Sequence, residues 1–460
     1  MNDPNGPVYW KGQYHLFYQY NPGGAFWGDM HWGHAVSADM VHWKHLPIAL
    51  SPTPGGPDAD GCFTGTAVIQ DGRVVIVYTG VRSVSGNEAT SRGGGLNLRE
   101  SQCMAHSDDP ELNSWTKVSE PVIAVPPSGL VIAGFRDPSP FRHGDEWLMV
   151  VGSGVPHRQG MVLLYRSKDL YRWEYLHPLI ASGSSETVGN PAEADEMWEC
   201  PDFFALGNKH VLIYSSQGKS HWKTGELDAK TLTFHPEQTG ILDTGSFYAA
   251  KTQIDKSGNR VLWGWIPETR PLAEYRAAGW AGLMSLPRIL TMGDDGRLRM
   301  QVAPEVGRLR RQEQSILTKN SEELRIKQIS EMTIEDGTAE IACTLRPGPQ
   351  RFELWVSLEG EQRMSSEACV SIRFDPTNSG EIMIANQAIP IGKTAAIDIN
   401  IFLDSSVAET IVNSSAAHTS RFYYSGNRPR NLRLNWTGSI QSLERVSVWQ
   451  ISPISPNRMT

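Results

Sequence analysis

One apolar strand pattern returns five times, in order, within the first 270 residues: GQYHLFYQY at 12–20, GRVVIVYTG at 72–80, GDEWLMVVGSG at 144–154, NKHVLIYSSQG at 208–218 and NRVLWGWIPE at 259–268. Each copy follows a Gly, Asp or Asn turn. A second pattern, a Ser/Asp-containing turn leading to an aromatic residue, trails the first four: SADMVHW at 37–43, HSDDPELNSW at 106–115, RSKDLYRW at 166–173 and GELDAKTLTF at 225–234. Recurrence every ~50–70 residues, with several short strands per unit, is what blades of a propeller produce, because a single four-stranded blade cannot bury both of its faces. The alternative is a set of unrelated hairpins sharing only a general strand preference. Five recurrences in one order weigh against it, and the pattern predicts a five-bladed β-propeller over residues 1–300.

The chain is longer than one domain needs. At 460 residues and 51.0 kDa it has room for a second unit. Residues 301–324 change texture to a charged stretch of mixed helix-like spacing, which reads as a connector. Beyond it AEIACTLRPG, RFELWVSLEG, ACVSIRFDP, TAAIDINIFLD and SLERVSVWQIS alternate apolar and polar residues at period two, predicting a β-sandwich over 325–460. The fold class is therefore all-β. The 15 Trp and 43 Gly agree with turn-rich β architecture, and 40% hydrophobic against 20% charged residues excludes intrinsic disorder.

A net charge of −8 argues against a nucleic-acid or anionic-membrane partner, since either needs a basic field. No apolar run approaches the ~18 residues of a membrane span. No secretory leader is visible ahead of MNDPNGPVYW, and five scattered cysteines without a C-x-x-C pair give neither a disulfide scaffold nor a zinc site. Only Cys343 with Cys369 is considered for a structural disulfide. The expected location is the cytoplasm, or outside the cell if an upstream leader was removed.

Three acids stand out. Asp3 lies in Asn2-Asp3-Pro4-Asn5-Gly6, where Asp and Asn beside Pro and Gly ordinarily serve as turn formers. Asp137 follows Arg136 in FRDP, a pair that by itself reads as a structural ion pair. Glu199 sits in the apolar and aromatic stretch MWECPDFF, where burial is expected to raise its pKa toward the range of a general acid, a buried satisfied Glu being the plainer reading. Each acid occupies the same place at the start of its blade's innermost strand, and equivalent positions of different blades converge on one axis. Three acids around one pocket, an Arg to moderate their repulsion and tryptophans for sugar faces are what cleavage of a glycosidic bond requires.

These residues also carry a resemblance. MNDPNG, FYQYNP at 17–22, WG at 27–28, HWGHAVSADMVHW at 31–43, CFTGTAV at 62–68, FRDP at 135–138, WECPDFF at 198–204, FYAAKT at 247–252 and GWAGLMSLPR at 279–288 resemble glycoside hydrolase family 32, and LDSSVAETIVN at 403–413 resembles that family's sandwich domain. The family holds invertases, inulinases, levanases and fructan exohydrolases. The resemblance implies a five-bladed propeller followed by a sandwich, and retention of configuration at the fructose anomeric carbon. It implies Asp3 as nucleophile, Glu199 as acid/base, and Asp137 as the group that holds fructose hydroxyls in the transition state. Asn2, Gln19, Trp27, Phe63, Thr64 and Arg136 are implied to line the fructose pocket, with Asp243, Tyr248 and Trp265 added to it. No metal and no organic cofactor is implied, and no oligomeric state.

The chain departs from the family pattern in places. Members usually carry a Trp before MNDPNG, where this chain starts. Thr64 stands where Ser is commoner, and Ser246 where many plant-type invertases have a Lys paired with an Asp equivalent to Asp243. The loss of that Lys bears on sucrose preference. The leading expectation is a retaining β-fructofuranosidase acting on sucrose or fructo-oligosaccharides. A fructosyltransferase would use the same carboxylates, and a non-catalytic sugar-binding propeller would have no use for a nucleophile and an acid so placed.

Overall fold

The structure, a computed structural model, describes all residues except 94–95, 157–158, 182–196, 318–320, 347, 359–368, 379, 393, 424–430, 439–442 and 455–460. Two compact units emerge. The first holds residues 1–240 and 247–298, the second 241–246 and 299–459.

The first unit is built on five antiparallel sheets, each formed from consecutive strands of the chain. Their first strands are Pro4–Trp10, Gly61–Gln70, Phe135–His143, Glu199–Leu206 and Tyr248–Ile254. Each neighbours the next, and the last returns to the first, so the sheets close into a ring as in a β-propeller. The recurring apolar segments are the second strands, buried on both faces: Val74 to Val77, Leu148 to Val151 and Val211 to Ile213 are all nearly inaccessible.

The second recurring pattern proves to be one turn used four times. Asp39, Asp109, Asp169 and Asp228 each accept two backbone N–H groups within the next four residues. An apolar residue in the left-handed region follows each: Met40, Leu112, Leu170 and Leu232. In three copies that residue's carbonyl accepts the indole N–H of the Trp three positions on, Trp43, Trp115 or Trp173. A side-chain oxygen that satisfies the turn's donors, together with an indole bond, holds a backbone conformation that L-residues otherwise avoid.

The second unit packs two six-stranded antiparallel sheets. Ile341, Ile399 and Val446 from one and Leu354, Ile372 and Leu434 from the other meet in a shared core. Ile397–Asp404 shows the period-two burial expected of strands with one covered face. The stretch expected to be a connector is structured where described. Arg310–Leu317 is a strand paired with Leu443–Ile451, and Glu322–Glu331 is a helix capped by Ser321. Its charges suit an edge strand, which proteins commonly protect with charge, and Arg310 forks onto Glu340 of the next strand but one. Residues 318–320 of that stretch lie outside the described residues. All five cysteines are thiols, so Cys343 and Cys369 form no disulfide. No helix among the described residues is long and apolar enough to cross a membrane.

Two buried histidines make the first sheet pH-sensitive. His15 Nδ1 lies 2.9 Å from His34 Nε2, and both rings are nearly inaccessible. Burial pushes His15 down to about 4, and burial together with its neighbour's charge pushes His34 down to about 3. Below pH ~6.5 the unfolded chain binds protons that the folded pair refuses, so stability is lost as pH falls from there toward the folded values, by ~1.4 kcal/mol per unit for each ring. Urea unfolding at pH 7, 6 and 5 should show this fall, and His34→Leu should have roughly half the slope. A slope unchanged in His34→Leu would dismiss the pair as its source.

Candidate active site

The same irregularity begins all five first strands. A β-bulge interrupts the register between Asn5 and Val8, Cys62 and Gly65, Arg136 and Ser139, Glu199 and Asp202, and Tyr248 and Lys251. In four of them a residue at positive φ sits inside the bulge: Gly6 (41°), Asp137 (65°), Cys200 (50°) and Ala249 (53°). Proline follows three of these, Pro7, Pro138 and Pro201, and its missing N–H costs nothing where the ladder is already broken. A bulge re-aims the side chains around it, which is how one local sequence device places Asp3, Asp137 and Glu199 together. Left-handed Asp137 and Cys200 cost about 1–2 kcal/mol each, strain of the kind that gathers at functional sites.

The strain is held by partners from neighbouring strands. The Asp137 N–H donates to Thr79 Oγ1 at 2.9 Å, Thr79 donates to Gln102 Oε1 at 3.0 Å, and Gln102 Nε2 donates to the Phe135 carbonyl at 2.9 Å. The Cys200 N–H donates to Asp137 Oδ2 at 2.8 Å, and its thiol approaches Asp3 Oδ2 at 3.6 Å. Asp3 also accepts from the Thr64 hydroxyl at 2.7 Å and from the Asn2 amide at 3.2 Å. Gln19 frames this side: its N–H donates to the Asp3 carbonyl and its amide to the Cys62 carbonyl.

Glu199 faces a different pair. Arg136 Nη2 donates to Glu199 Oε1 at 2.6 Å, and the Tyr248 hydroxyl donates to Oε2 at 2.5 Å. The other guanidinium nitrogen, Nη1, donates at 2.9 Å to Glu100, whose second oxygen accepts the Phe135 N–H and the Thr90 hydroxyl. Glu100 is fully buried and was not singled out from the sequence, nor were Thr79 and Gln102. The available signal was an acid in an otherwise uncharged strand segment, ESQCMA at 100–105. Aromatic rings complete the surround: Trp27, 58% exposed, meets Phe63 edge-on at 6.0 Å, and Tyr248 meets Trp265 edge-on at 6.4 Å.

Charge in the cluster is unevenly shared. Burial raises Asp3, and the Glu199 charge adds to this against the Thr64 and Asn2 hydrogen bonds. Burial lifts Asp137 to about 7, helped by the charges of Glu199 and Asp3 and opposed by Arg136. Glu199 goes the other way. Burial pushes it up, but the Arg136 charge and hydrogen bond and the Tyr248 hydroxyl outweigh that and hold it below the usual carboxylate value. The expectation that its apolar neighbourhood would raise it is corrected accordingly, because Arg136, 63 residues away in sequence, lies against it.

Asp243 belongs to the second unit, where Oδ1 accepts the Gly245 and Thr419 N–H groups at 2.9 and 2.8 Å and Oδ2 accepts the Thr419 hydroxyl at 2.7 Å. This fully buried carboxylate ties residues 241–246 to the strand Ala416–Arg421. Among the described residues no group of His, Cys, Asp and Glu side chains is arranged to hold a metal ion.

Clustered carboxylates with a guanidinium and exposed aromatic rings at the convergence of a propeller define a glycoside hydrolase. Comparison with known proteins identifies which. Residues 1–302 match the glycosyl hydrolases family 32 N-terminal domain and residues 305–450 the family 32 C-terminal domain. The chain is 32% identical to the sucrose-6-phosphate hydrolase of Escherichia coli, over 98% of its own length and 92% of that enzyme's. Among solved structures it resembles a family 32 β-fructofuranosidase of Bombyx mori, with TM-score 0.76, 30% identity and coverage of 99% and 92%. It also resembles the fructan 1-exohydrolase IIa of Cichorium intybus, with TM-score 0.80, 26% identity and coverage of 98% and 95%. The chain belongs to glycosyl hydrolase family 32 and is a fructosyl hydrolase.

Proposed function

We propose that the chain is a retaining β-fructofuranosidase, releasing terminal β-D-fructofuranosyl residues from sucrose or short fructans through a covalent fructosyl-enzyme intermediate. Asp3 attacks the anomeric carbon while Glu199 protonates the departing oxygen. Glu199 then takes a proton from the water that frees fructose, and Asp137 accepts hydrogen bonds from fructose hydroxyls as positive charge develops. The observation that carries this reading is the single bonded chain from Asp3 through Cys200 to Asp137 on one side, with Glu199 on Arg136 at the other.

Attack needs Asp3 ionised and Glu199 protonated; burial opposes ionisation of Asp3 and Asp137 while Arg136 favours charge on Glu199, so the three carboxyls compete for protons within one cluster. The cluster titrates as a unit, and the productive form disappears when its last proton leaves.

Incubation with sucrose tests the reading. Glucose and fructose in equal amounts mean hydrolysis, glucose in excess means transfer, and no release removes the proposal. Added methanol should trap the intermediate as methyl β-D-fructofuranoside, and the α anomer would exclude retention. Sucrose 6-phosphate belongs in the same assay. Arg276, on the helix Leu272–Ala278, stacks over Phe26 at 4.7 Å beside exposed Trp27 and has no carboxylate partner among the described residues. If that guanidinium receives a phosphoryl group on the departing hexose, kcat/KM is higher on the phosphorylated sugar.

A further inference from the structure

Glu100 touches the acid cluster, and the mechanism gives it no task. It lies on the strand Leu96–Ser107 with almost no contact with water, and three donors fix its carboxylate. Oε1 accepts Arg136 Nη1 at 2.9 Å, while Oε2 accepts the Phe135 N–H at 2.7 Å and the Thr90 hydroxyl at 3.0 Å. Thr90 is held in return, its hydroxyl oxygen accepting the Glu100 N–H at 2.9 Å. Phe135 and Arg136 open the strand whose bulge carries Asp137, so Glu100 grips that strand beside the site by charge-assisted bonds.

The guanidinium is shared between two carboxylates. Nη1 lies on Glu100 and Nη2 on Glu199, at 2.9 and 2.6 Å. A Cβ on Gly134 would stand 2.8 Å from Nη1, so that glycine leaves the space the fork occupies. Burial lowers the Arg136 pKa, but the charges of Glu199, Glu100 and Asp137 outweigh this and hold it well above its usual value. Arg136 is therefore a permanent cation that needs a permanent anion.

Acid catalysis takes one anion away. When Glu199 carries the proton that it gives to the departing oxygen, the guanidinium must be balanced from elsewhere in a site shielded from water. The other groups that face the pair do not supply this. Burial lifts Asp137 to about 7, so it titrates near neutrality itself, and burial pushes the Cys200 thiol up and keeps it neutral. Tyr248 is a phenol donating to Glu199, Asp3 is bonded to Thr64, Asn2 and Cys200, and Lys251 is a cation on the Pro201 carbonyl. Glu100 remains.

We propose that Glu100 is a positioning residue for the acid/base step: as the standing counter-ion of Arg136 it fixes the guanidinium and keeps part of its charge off Glu199, so that Glu199 can be neutral beside it when the glycosidic bond breaks. The proposal rests on the assignment of Glu199 as the acid.

The test is the pH dependence of kcat/KM on sucrose. Glu100→Gln leaves Glu199 as the bonded carboxylate of the guanidinium, so Glu199 gives up its proton more readily and the alkaline limb should move down by about one pH unit. On the alkaline side kcat/KM should then fall about ten-fold, and the loss should shrink toward acid pH. A loss of equal size at every pH, or a limb that stays in place or moves up, would overturn the role. The double variant Glu100→Gln/Arg136→Met leaves neither charge unpaired and gives an independent reading should the single variant not fold. Its limb should lie within about 0.3 unit of that of Arg136→Met alone, because Glu100 acts through the guanidinium. A further downward shift of a whole unit there would make Glu100 a charge felt directly by the acid and would also overturn the role. Failure of the wild-type enzyme to release fructose would instead remove the fructosidase reading, and this role with it.

Discussion

Asp3→Ala and Glu199→Ala each lower turnover of sucrose by about 10³-fold or more, because both groups act on the breaking bond. Neither change should unfold the protein. Asp3 is a half-buried carboxyl whose ionisation the site already resists, and Glu199 keeps part of its side chain in solvent. The two variants differ in rescue. Azide in place of the missing Asp3 carboxylate should restore turnover with inversion, giving α-fructosyl azide, whereas azide added to Glu199→Ala should speed release from the intermediate on an activated substrate and give the β product. An Asp3→Ala enzyme keeping more than about a tenth of wild-type turnover has lost only ~1.4 kcal/mol, too little for a nucleophile.

Arg136→Met has two separable consequences. Arg136 spans Glu100 and Glu199, and Glu100 has almost no contact with water. Removing the guanidinium leaves a buried charge without its partner, which should cost about 3–5 kcal/mol in unfolding free energy. Glu199 meanwhile loses the main influence that lowers its pKa, so the pH at which the cluster gives up its last proton moves up. The alkaline limb of kcat/KM, near neutrality in the wild type if Asp137 at about 7 marks that last proton, should shift upward in the variant. Lower stability with an unmoved limb would make Arg136 a purely structural residue. An unmoved limb and unmoved stability together would refute the bridge itself.

What could be read before the fold was known follows physical range. Motifs confined to a few consecutive residues were legible. The Asp turn with its left-handed apolar residue is complete within seven residues in SADMVHW, and the aliphatic second strands declare themselves by composition alone. The strand Arg310–Leu317 has a connector's charged texture because it lies at a sheet edge, and that edge position depends on its pairing with Leu443–Ile451. Asp243 bonds to Thr419, 176 residues on, a partner that its neighbourhood in sequence does not announce.

The sequence by itself determined the all-β class, the five-fold recurrence, and the positions of Asp3, Asp137 and Glu199 at the starts of three innermost strands. These depend on side-chain alternation and turn chemistry between residues adjacent in the chain, where the backbone has few options. Only the tertiary structure decided how the acids share charge. Glu199 lies against an apolar sequence but next to a guanidinium, and Asp137 lies next to Arg136 in sequence but rises to about 7. A pKa depends on every charge and donor within a few ångströms and on exclusion of water. For Glu199 those neighbours are Arg136 and Tyr248 on two different strands, whose separation along the chain carries no record of their distance in space.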